Sequence, residues 1–252
     1  MERYGVAGLE CAMFSVVIPA KNEEKYLPAC IESIKRQAGS FCVEIIVVNN
    51  GSVDKTKEIA ESSGAKVIDE LVCGVGMARK AGTEAAQGEF VVNLDADSRL
   101  PEDYLLKARK MFDENKDLVC LGGQLYFFDG TWLQDFLRLI FYRPICWFVR
   151  AVSFGRVGPT GNCMVLKKTT YNKTNGFDEN LKYGEDGDLT IKLSKFGKIK
   201  INMDLKCFIS SRRFNILDKG FWAYVLNAVG VLFTGKPVKN ELRTTEEKKK
   251  SG

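Results

Sequence analysis

The chain is predicted to be an α/β protein: a mostly parallel sheet flanked by helices, with amphipathic helices in the C-terminal half. Three observations carry this expectation. Short apolar runs such as residues 14–19 and 44–48 lack polar alternation, so they read as strands buried on both faces. Segments with apolar residues at helical spacing alternate with them through short connections, the pattern of a parallel sheet covered by helices. The chain has 252 residues, 45% hydrophobic and 27% charged, enough to bury such a sheet without disulfide staples.

The elements follow in order. Residues 14–19 form a strand ended by Pro19, and Leu27, Ile31 and Ile34 recur at helical spacing within 23–37. Residues 44–48 are a second strand, closed by the turn signature Asn49-Asn50-Gly51-Ser52. A helix over 54–62, a strand over 65–68, a small-residue helix over 74–86 and a strand over 89–94 come next. Pro101 suits the first position of a helix running to about Asn115, and residues 118–128 are again strand-like. The second half is less regular. Trp132, Phe136 and Ile140 lie along one helical stripe, Pro144 interrupts, and Ile145, Phe148 and Val152 continue it, with Arg143, Arg150 and Arg156 between. Residues 220–233 add a third aromatic amphipathic stretch. No linker divides the chain, so residues 1–235 are read as one domain and 236–252 as a polar, basic, disordered tail.

Composition narrows the chemistry. Histidine is absent, which removes Ser-His-Asp and Cys-His catalysis and histidine-containing zinc sites. The eight cysteines are widely spaced, with no CxxC, and several sit in apolar runs as buried thiols. With no signal peptide in view, they suit a reducing cytoplasm. A net charge of +5 is too mild for a nucleic-acid partner but suits phosphate-bearing ligands or anionic surfaces. No apolar run reaches the roughly 20 residues of a membrane-spanning helix.

The strongest chemical signal is Val91-Val92-Asn93-Leu94-Asp95-Ala96-Asp97. Residues i and i+2 of an extended chain project to one side, so Asp95 and Asp97 can converge on one hard cation at a strand's carboxyl end. The structural alternative makes Asp97 or Ser98 a helix cap. Acidic and amide-rich turns end the first two strands, at Asn22-Glu23-Glu24 and Asn49-Asn50, and could bond a base and a ribose; equally, Asn50-Gly51 is a tight turn and Asp54 a cap. Gly74-Val75-Gly76-Met77-Ala78-Arg79 is not the dinucleotide fingerprint, because arginine stands where it needs the third glycine. Arg79 and Lys80 are either phosphate contacts or a solvated helix face. Gly184-Glu185-Asp186-Gly187-Asp188 opens a helix with three carboxylates in four residues, more than capping needs. Without histidine, one of them is the natural general base. Arg212 and Arg213 offer paired guanidiniums for a diphosphate.

In this order the motifs resemble the family 2 glycosyltransferases of the GT-A, Rossmann-like fold: VVIPAKNEE at 16–24, VVNNGSVD at 47–54, GVGMARKAG at 74–82, VVNLDAD at 91–97, GPTGNCMVLKK at 158–168, GFDE at 176–179, GEDGDL at 184–189 and SSRR at 210–213. The resemblance spans nearly the whole chain. It implies inverting transfer of a sugar from a nucleotide-diphosphate donor, a UDP-sugar, to a hydroxyl of a glycan or lipid-linked glycan. Asp95 and Asp97 would be the DxD pair holding Mg²⁺ or Mn²⁺, with Asp97 the direct ligand. Pro19, Ala20, Asn22, Glu23, Asn49, Arg79 and Ala96 would line the nucleotide-sugar pocket, and Arg212 and Arg213 would meet the diphosphate. Asp186 would be the catalytic base, with Glu185 positioning the acceptor or standing in as base. One departure stands out: many relatives carry two aspartates where this chain has Asn49-Asn50.

Other readings stay open. Transfer to a polyprenyl phosphate at the membrane surface would need no base. The glycine-rich loop of a sugar-nucleotide pyrophosphorylase is absent, and a nucleotide-sugar-binding protein without activity is the remaining rival. The aromatic stretches at 131–153 and 220–233 are either core helices or interfacial helices with Trp132, Trp147 and Trp222 at headgroup depth, which would place the protein at the inner face of the cell membrane.

Overall fold

The computed structural model describes residues 14–179, 181, 184–213, 230 and 233. The aromatic stretch at 220–233, apart from Gly230 and Phe233, the tail at 236–252 and the side chain of Arg213 lie outside the described residues.

Eight strands form one sheet: β1 (Phe14–Ala20), β2 (Val43–Asn49), β3 (Lys66–Asp69), β4 (Phe90–Leu94), β5 (Ser98–Arg99), β6 (Leu118–Phe127), β7 (Cys163–Lys167) and β8 (Lys198–Ile209). Their spatial order is β3-β2-β1-β4-β7-β6-β8-β5. The ladders β3/β2, β2/β1, β1/β4 and β6/β8 are parallel, whereas β7 runs against both β4 and β6, and β5 against β8. The expectation of a mostly parallel sheet therefore holds, with its purely parallel half formed by the first four strands in that order.

The helices are α1 (Leu27–Lys35), α2 (Thr56–Ser62), α3 (Val75–Ala85), α4 (Tyr104–Glu114), α5 (Trp132–Leu137), α6 (Arg143–Val152), α7 (Lys168–Tyr171) and α8 (Glu185–Leu193). Period-two alternation along β1 sorts its residues onto the two faces. Phe14, Val16 and Ile18 pack with Leu27, Ile31 and Ile34 of α1 and with Tyr104, Leu105 and Phe112 of α4. Val17 packs on the opposite face with Ile46, Val48, Ala78 of α3 and Leu189 and Leu193 of α8. Both faces are covered, which is why β1 and β4 read as largely apolar runs, with only Ser15 and Asn93 polar. α3 lies tightly on the sheet: a Cβ on Gly82 would stand 2.3 Å from Val17 Cγ1.

Several boundaries differ from expectation. α1 begins at Leu27 rather than Glu23, with Pro28 in its first turn where a missing N–H costs nothing. Pro101 does not open α4; its carbonyl accepts the Tyr104 N–H at 3.0 Å in the preceding turn. Asp54 does serve the start of α2, its Oδ1 accepting the Thr56 N–H at 3.0 Å. Ser98 belongs to the short strand β5, and neither it nor Asp97 caps a helix. Pro144 opens α6 instead of breaking it, and a π-helical turn over Arg138–Tyr142 joins α5 to α6. α5 carries a capping box: Thr131 Oγ1 accepts the Gln134 N–H while Gln134 Oε1 accepts the Thr131 N–H.

The core reading of the aromatic stripe at 131–153 is corrected. Trp132, Phe136, Ile140, Trp147 and Phe148 are exposed, whereas Val149 of α6 packs inward against Val157, with the half-buried Ile145 beside them. No described helix is long and apolar enough to cross a membrane. None of the seven described cysteines is in a disulfide, and Cys30, Cys120, Cys163 and Cys207 are buried thiols.

Candidate active site

The parallel strands β1, β2 and β4 deliver their carboxyl ends to one edge, with Ala20 in register with Asn49. The turns there are tied to one another. Asn22 takes a left-handed φ of 56°, its N–H donates to Ser52 Oγ at 3.1 Å, and its Oδ1 accepts the Val53 N–H at 2.9 Å. The Glu23 N–H donates to Thr56 Oγ1 at 2.8 Å. Asn49 Nδ2 donates to Asp69 Oδ1 at 2.8 Å, and Asn49 Oδ1 accepts the Ser52 N–H at 3.1 Å. Asn50 Oδ1 accepts the Gly74 N–H, and its Nδ2 donates to the carbonyls of Glu70 and Val72. These hydrogen bonds give the amides at 49 and 50 a structural reason. A carboxylate at 49 would face the carboxylate of Asp69, whereas an amide can donate to it.

The centre of the site is Arg79 of α3, which is 4% exposed. One terminal nitrogen donates to Glu185 Oε1 at 2.8 Å and Asp186 Oδ1 at 3.0 Å, and the other to Asp95 Oδ1 at 2.8 Å. Three carboxylates from two distant parts of the chain thus meet on one guanidinium. Glu185 and Asp186 reach it because α8 starts after Gly184, whose φ of 80° a glycine adopts without strain. The first turn of a helix also favours carboxylates electrostatically. The other oxygen of Asp186 accepts the Gly161 N–H at 2.6 Å, and a Cβ on Gly161 would stand 2.4 Å from both Arg79 Cζ and Asp186 Oδ1. The close approach therefore requires glycine at 161.

Burial disfavours charge on these carboxyls. Burial and then the Asp186 charge push Glu185 up to about 7, against the pull of Arg79. Asp186 is also raised, by burial, with Arg79 and the Gly161 amide opposing.

A second guanidinium completes the cluster. Arg212 Nε donates to Asp97 Oδ2 at 2.9 Å, and its Nη2 to both oxygens of Glu23 at 2.6 and 2.5 Å. Its Cζ lies 4.1 Å from the centroid of the Tyr26 ring. The segment before it is pinned by Asp129, which accepts from Ser210 Oγ and the Ser211 N–H, each at 2.6 Å. Five carboxylates thus face two guanidiniums, an excess of negative charge that fits a divalent cation with oxygen ligands. Asp95 and Asp97, two residues apart at the end of β4, are the natural donors. Among the described residues no group of three or more His, Cys, Asp or Glu encloses an ion position by itself, so further ligands would be water or a bound molecule.

The structure brings together Glu23, Arg79, Asp95, Asp97, Glu185, Asp186 and Arg212, and sets Asn22 and Asn49 in the adjoining turns. Ala20 and Ala96 are buried, so only their backbone could meet a ligand, and Pro19 precedes them at the end of β1. Lys80 turns away to pair with Glu179. Four participants were not foreseen: Tyr26, Asp69, Asp129 and the Gly161 amide. Gly161 stood in a glycine-rich motif that was visible, but nothing local distinguished the other three from ordinary surface residues.

Residues 15–167, more than half of the chain, match Glycosyl transferase family 2, and the chain belongs to that family. A Mycobacterium tuberculosis protein named PGL/p-HBAD biosynthesis glycosyltransferase is 33% identical over 162 residues, covering 58% of this chain and 62% of that protein. The Minor teichoic acid biosynthesis protein GgaB of Bacillus subtilis is 30% identical over 201 residues, 74% of this chain and 22% of its own length. The matches thus span less than two thirds of these relatives. Among solved structures, S. aureus TarS 1-349 in complex with UDP-GlcNAc superposes with a TM-score of 0.64 at 22% identity, covering 89% of this chain and 67% of that one. Glucosyl-3-phosphoglycerate synthase from Mycobacterium tuberculosis, in complex with Mn²⁺, UDP and glucosyl-3-phosphoglycerate, gives 0.66 at 21% identity, covering 90% and 81%. These structures share the fold.

Proposed function

We propose that the protein transfers a sugar from a UDP-sugar to a hydroxyl of a glycan or lipid-linked acceptor, with inversion at the anomeric carbon. The carrying observation is the meeting of Asp95, Glu185 and Asp186 on the buried Arg79, beside the Glu23–Arg212–Asp97 pair. The UDP complexes of TarS and glucosyl-3-phosphoglycerate synthase support a uridine donor, and the names of the sequence relatives support a role in polysaccharide or glycolipid synthesis.

Asp97 and Asp95 would hold Mg²⁺ or Mn²⁺; the Mn²⁺ in the synthase supports such use. Bound there, the cation would neutralise charge on the departing diphosphate. Arg212 sits on the same cluster and can exchange its carboxylate partners for phosphate oxygens, a bidentate match that guanidinium suits. The turns carrying Asn22, Glu23 and Asn49 would line the nucleoside, along with the backbone of Pro19, Ala20 and Ala96.

Asp186 would take the acceptor hydroxyl proton as the new glycosidic bond forms, a contribution of typically 10²–10⁴-fold. Its two oxygens are oriented by Arg79 and by the Gly161 amide, so a carboxylate lone pair is held in one place. Glu185, raised towards neutrality, would keep a proton near Asp186 and tune its basicity, or stand in for it. Arg79 then acts as a positioning residue within the nucleotide-sugar pocket.

The test is transfer from a panel of UDP-sugars with Mn²⁺ to hydroxyl acceptors, with product configuration read by NMR. Asp97→Ala and chelation should each abolish transfer, and Asp186→Asn should lower kcat by about 10²-fold or more. Full activity of Asp186→Asn towards a hydroxyl acceptor would overturn its assignment as base.

A further inference from the structure

The face formed by α5, the π-helical turn and α6 belongs to neither core nor active site. Trp132 is 79% exposed, Phe148 62% and Phe154, in the turn after α6, 89%, while Phe136, Ile140 and Trp147 are about half exposed. Large apolar side chains exposed in this number on neighbouring turns mark a binding face.

The charges say what it binds. Between Thr131 and Arg156 the only acid is Asp135, which is tied to Arg138 at 3.1 Å. Arg138 and Arg150 are further spent on main-chain carbonyls, of Leu125 and of Ile199, each at 2.8 Å. Arg143 and Arg156 have no acidic partner among the described residues, nor has Lys200, which shares a surface cleft with Phe154 and Arg156. Exposed aromatics interleaved with unpaired cations suit an interface of apolar chains beneath anionic headgroups. A second copy of the same face would set these cations against each other.

We propose that this face docks on an anionic lipid bilayer, with the aromatic side chains inserted at headgroup depth and Arg143, Arg156 and Lys200 on lipid phosphates. No described helix is long and apolar enough to span the bilayer, so the contact is peripheral. The docking stands apart from the catalytic reading; its purpose rests on it. Pro159 and Thr160 line the cleft behind α6 together with Arg143 and Trp147, and the next residue, Gly161, donates to Asp186 at 2.6 Å. A bilayer at this face would therefore hold a lipid-anchored acceptor close to the proposed base.

The experiment is flotation of the purified chain with vesicles of phosphatidylcholine alone or mixed with phosphatidylglycerol, at low and high salt. The chain should float with the anionic vesicles, less so at high salt, because the Debye length shrinks to about 3 Å at 1 M. Trp147→Glu with Phe148→Glu should lower the bound fraction roughly tenfold or more, with an unchanged circular-dichroism spectrum. In the unaltered chain, brominated lipid should quench tryptophan fluorescence. No flotation with anionic vesicles, flotation that the double variant leaves unchanged, or a dimer in sedimentation that the double variant disperses would each overturn the proposal. Transfer to a water-soluble acceptor should survive in the double variant; absence of transfer in the unaltered chain would count against the catalytic reading and not against docking.

Discussion

Arg79 donates to Asp186 at 3.0 Å across 107 residues of sequence, and the same guanidinium holds Asp95 and Glu185. One buried cation thus joins α3, the end of β4 and the start of α8. Such an arrangement is costly to break from either side, because a buried charge left unpaired retains its full desolvation penalty.

Arg79→Met should therefore destabilise the fold by about 3–5 kcal/mol, read as a lowered midpoint of urea unfolding with unchanged slope. Arg79→Lys should recover only part of this. A single ammonium cannot reproduce the fork that meets three carboxylates from two nitrogens. A wild-type midpoint for Arg79→Met would show that the cluster contributes nothing net.

Gly161→Ala should cost activity more than stability. Its Cβ would stand 2.4 Å from Asp186 Oδ1 and from Arg79 Cζ, so both must shift. The expected result is a drop in kcat of about 10²-fold or more. Retention of wild-type kcat would show that the Asp186 orientation is unimportant to turnover.

The protonation of Glu185 makes a signed prediction. The folded carboxyl holds its proton up to about pH 7, whereas the ordinary value is 4.5. Between these values the native state binds more protons than the unfolded state, so stability should fall as pH rises through that window. The loss should be on the order of 1–3 kcal/mol. Glu185→Gln should flatten the dependence in metal-free protein, measured by denaturant titration at several pH values. An equally steep slope in that variant would place the titrating group elsewhere.

Asn49 and Asp69 should be coupled. Asn49→Asp replaces a 2.8 Å hydrogen bond with two facing carboxylates and should cost about 1 kcal/mol or more. Adding Asp69→Asn should return most of it, and a double-mutant cycle measures the coupling. Simple additivity would show that the amide at 49 is independent of Asp69.

Chelation gives the last expectation. UDP at about 100 times its dissociation constant should stabilise the protein by ~2.7 kcal/mol in the presence of Mn²⁺. The rise in melting temperature should vanish with EDTA and in Asp97→Ala.

Much of this was legible from the residues alone. Largely apolar runs announced β1, β2 and β4 because strands covered on both faces need no polar side. The spacing of Asp95 and Asp97 marked both as candidates, but the strand ends at Leu94 and the turn that follows gives them different partners, Arg79 and Arg212. Helix starts were less legible: Glu23, Asp54 and Pro101 all carry start signals, yet α1, α2 and α4 begin two to four residues later. Turns linking strand ends compete for those same side chains and backbone groups.

The stripe at 131–153 shows the limit most clearly. Helical periodicity determined that one face of the segment is apolar, but periodicity is a property of the helix and says nothing of what lies opposite. Only the tertiary structure decided that Trp132, Trp147 and Phe148 face outwards. Likewise, the sequence by itself marked β1 to β4 and β6 and most of the charged groups at the sheet's edge, whereas β5 and β8 emerged only in the tertiary structure. Which carboxylate meets which guanidinium was decided by the packing of α3 and α8 on that sheet, because partners more than a hundred residues apart share no local signal. Local chemistry sets which elements form; burial in a common core sets which of their charges must pair.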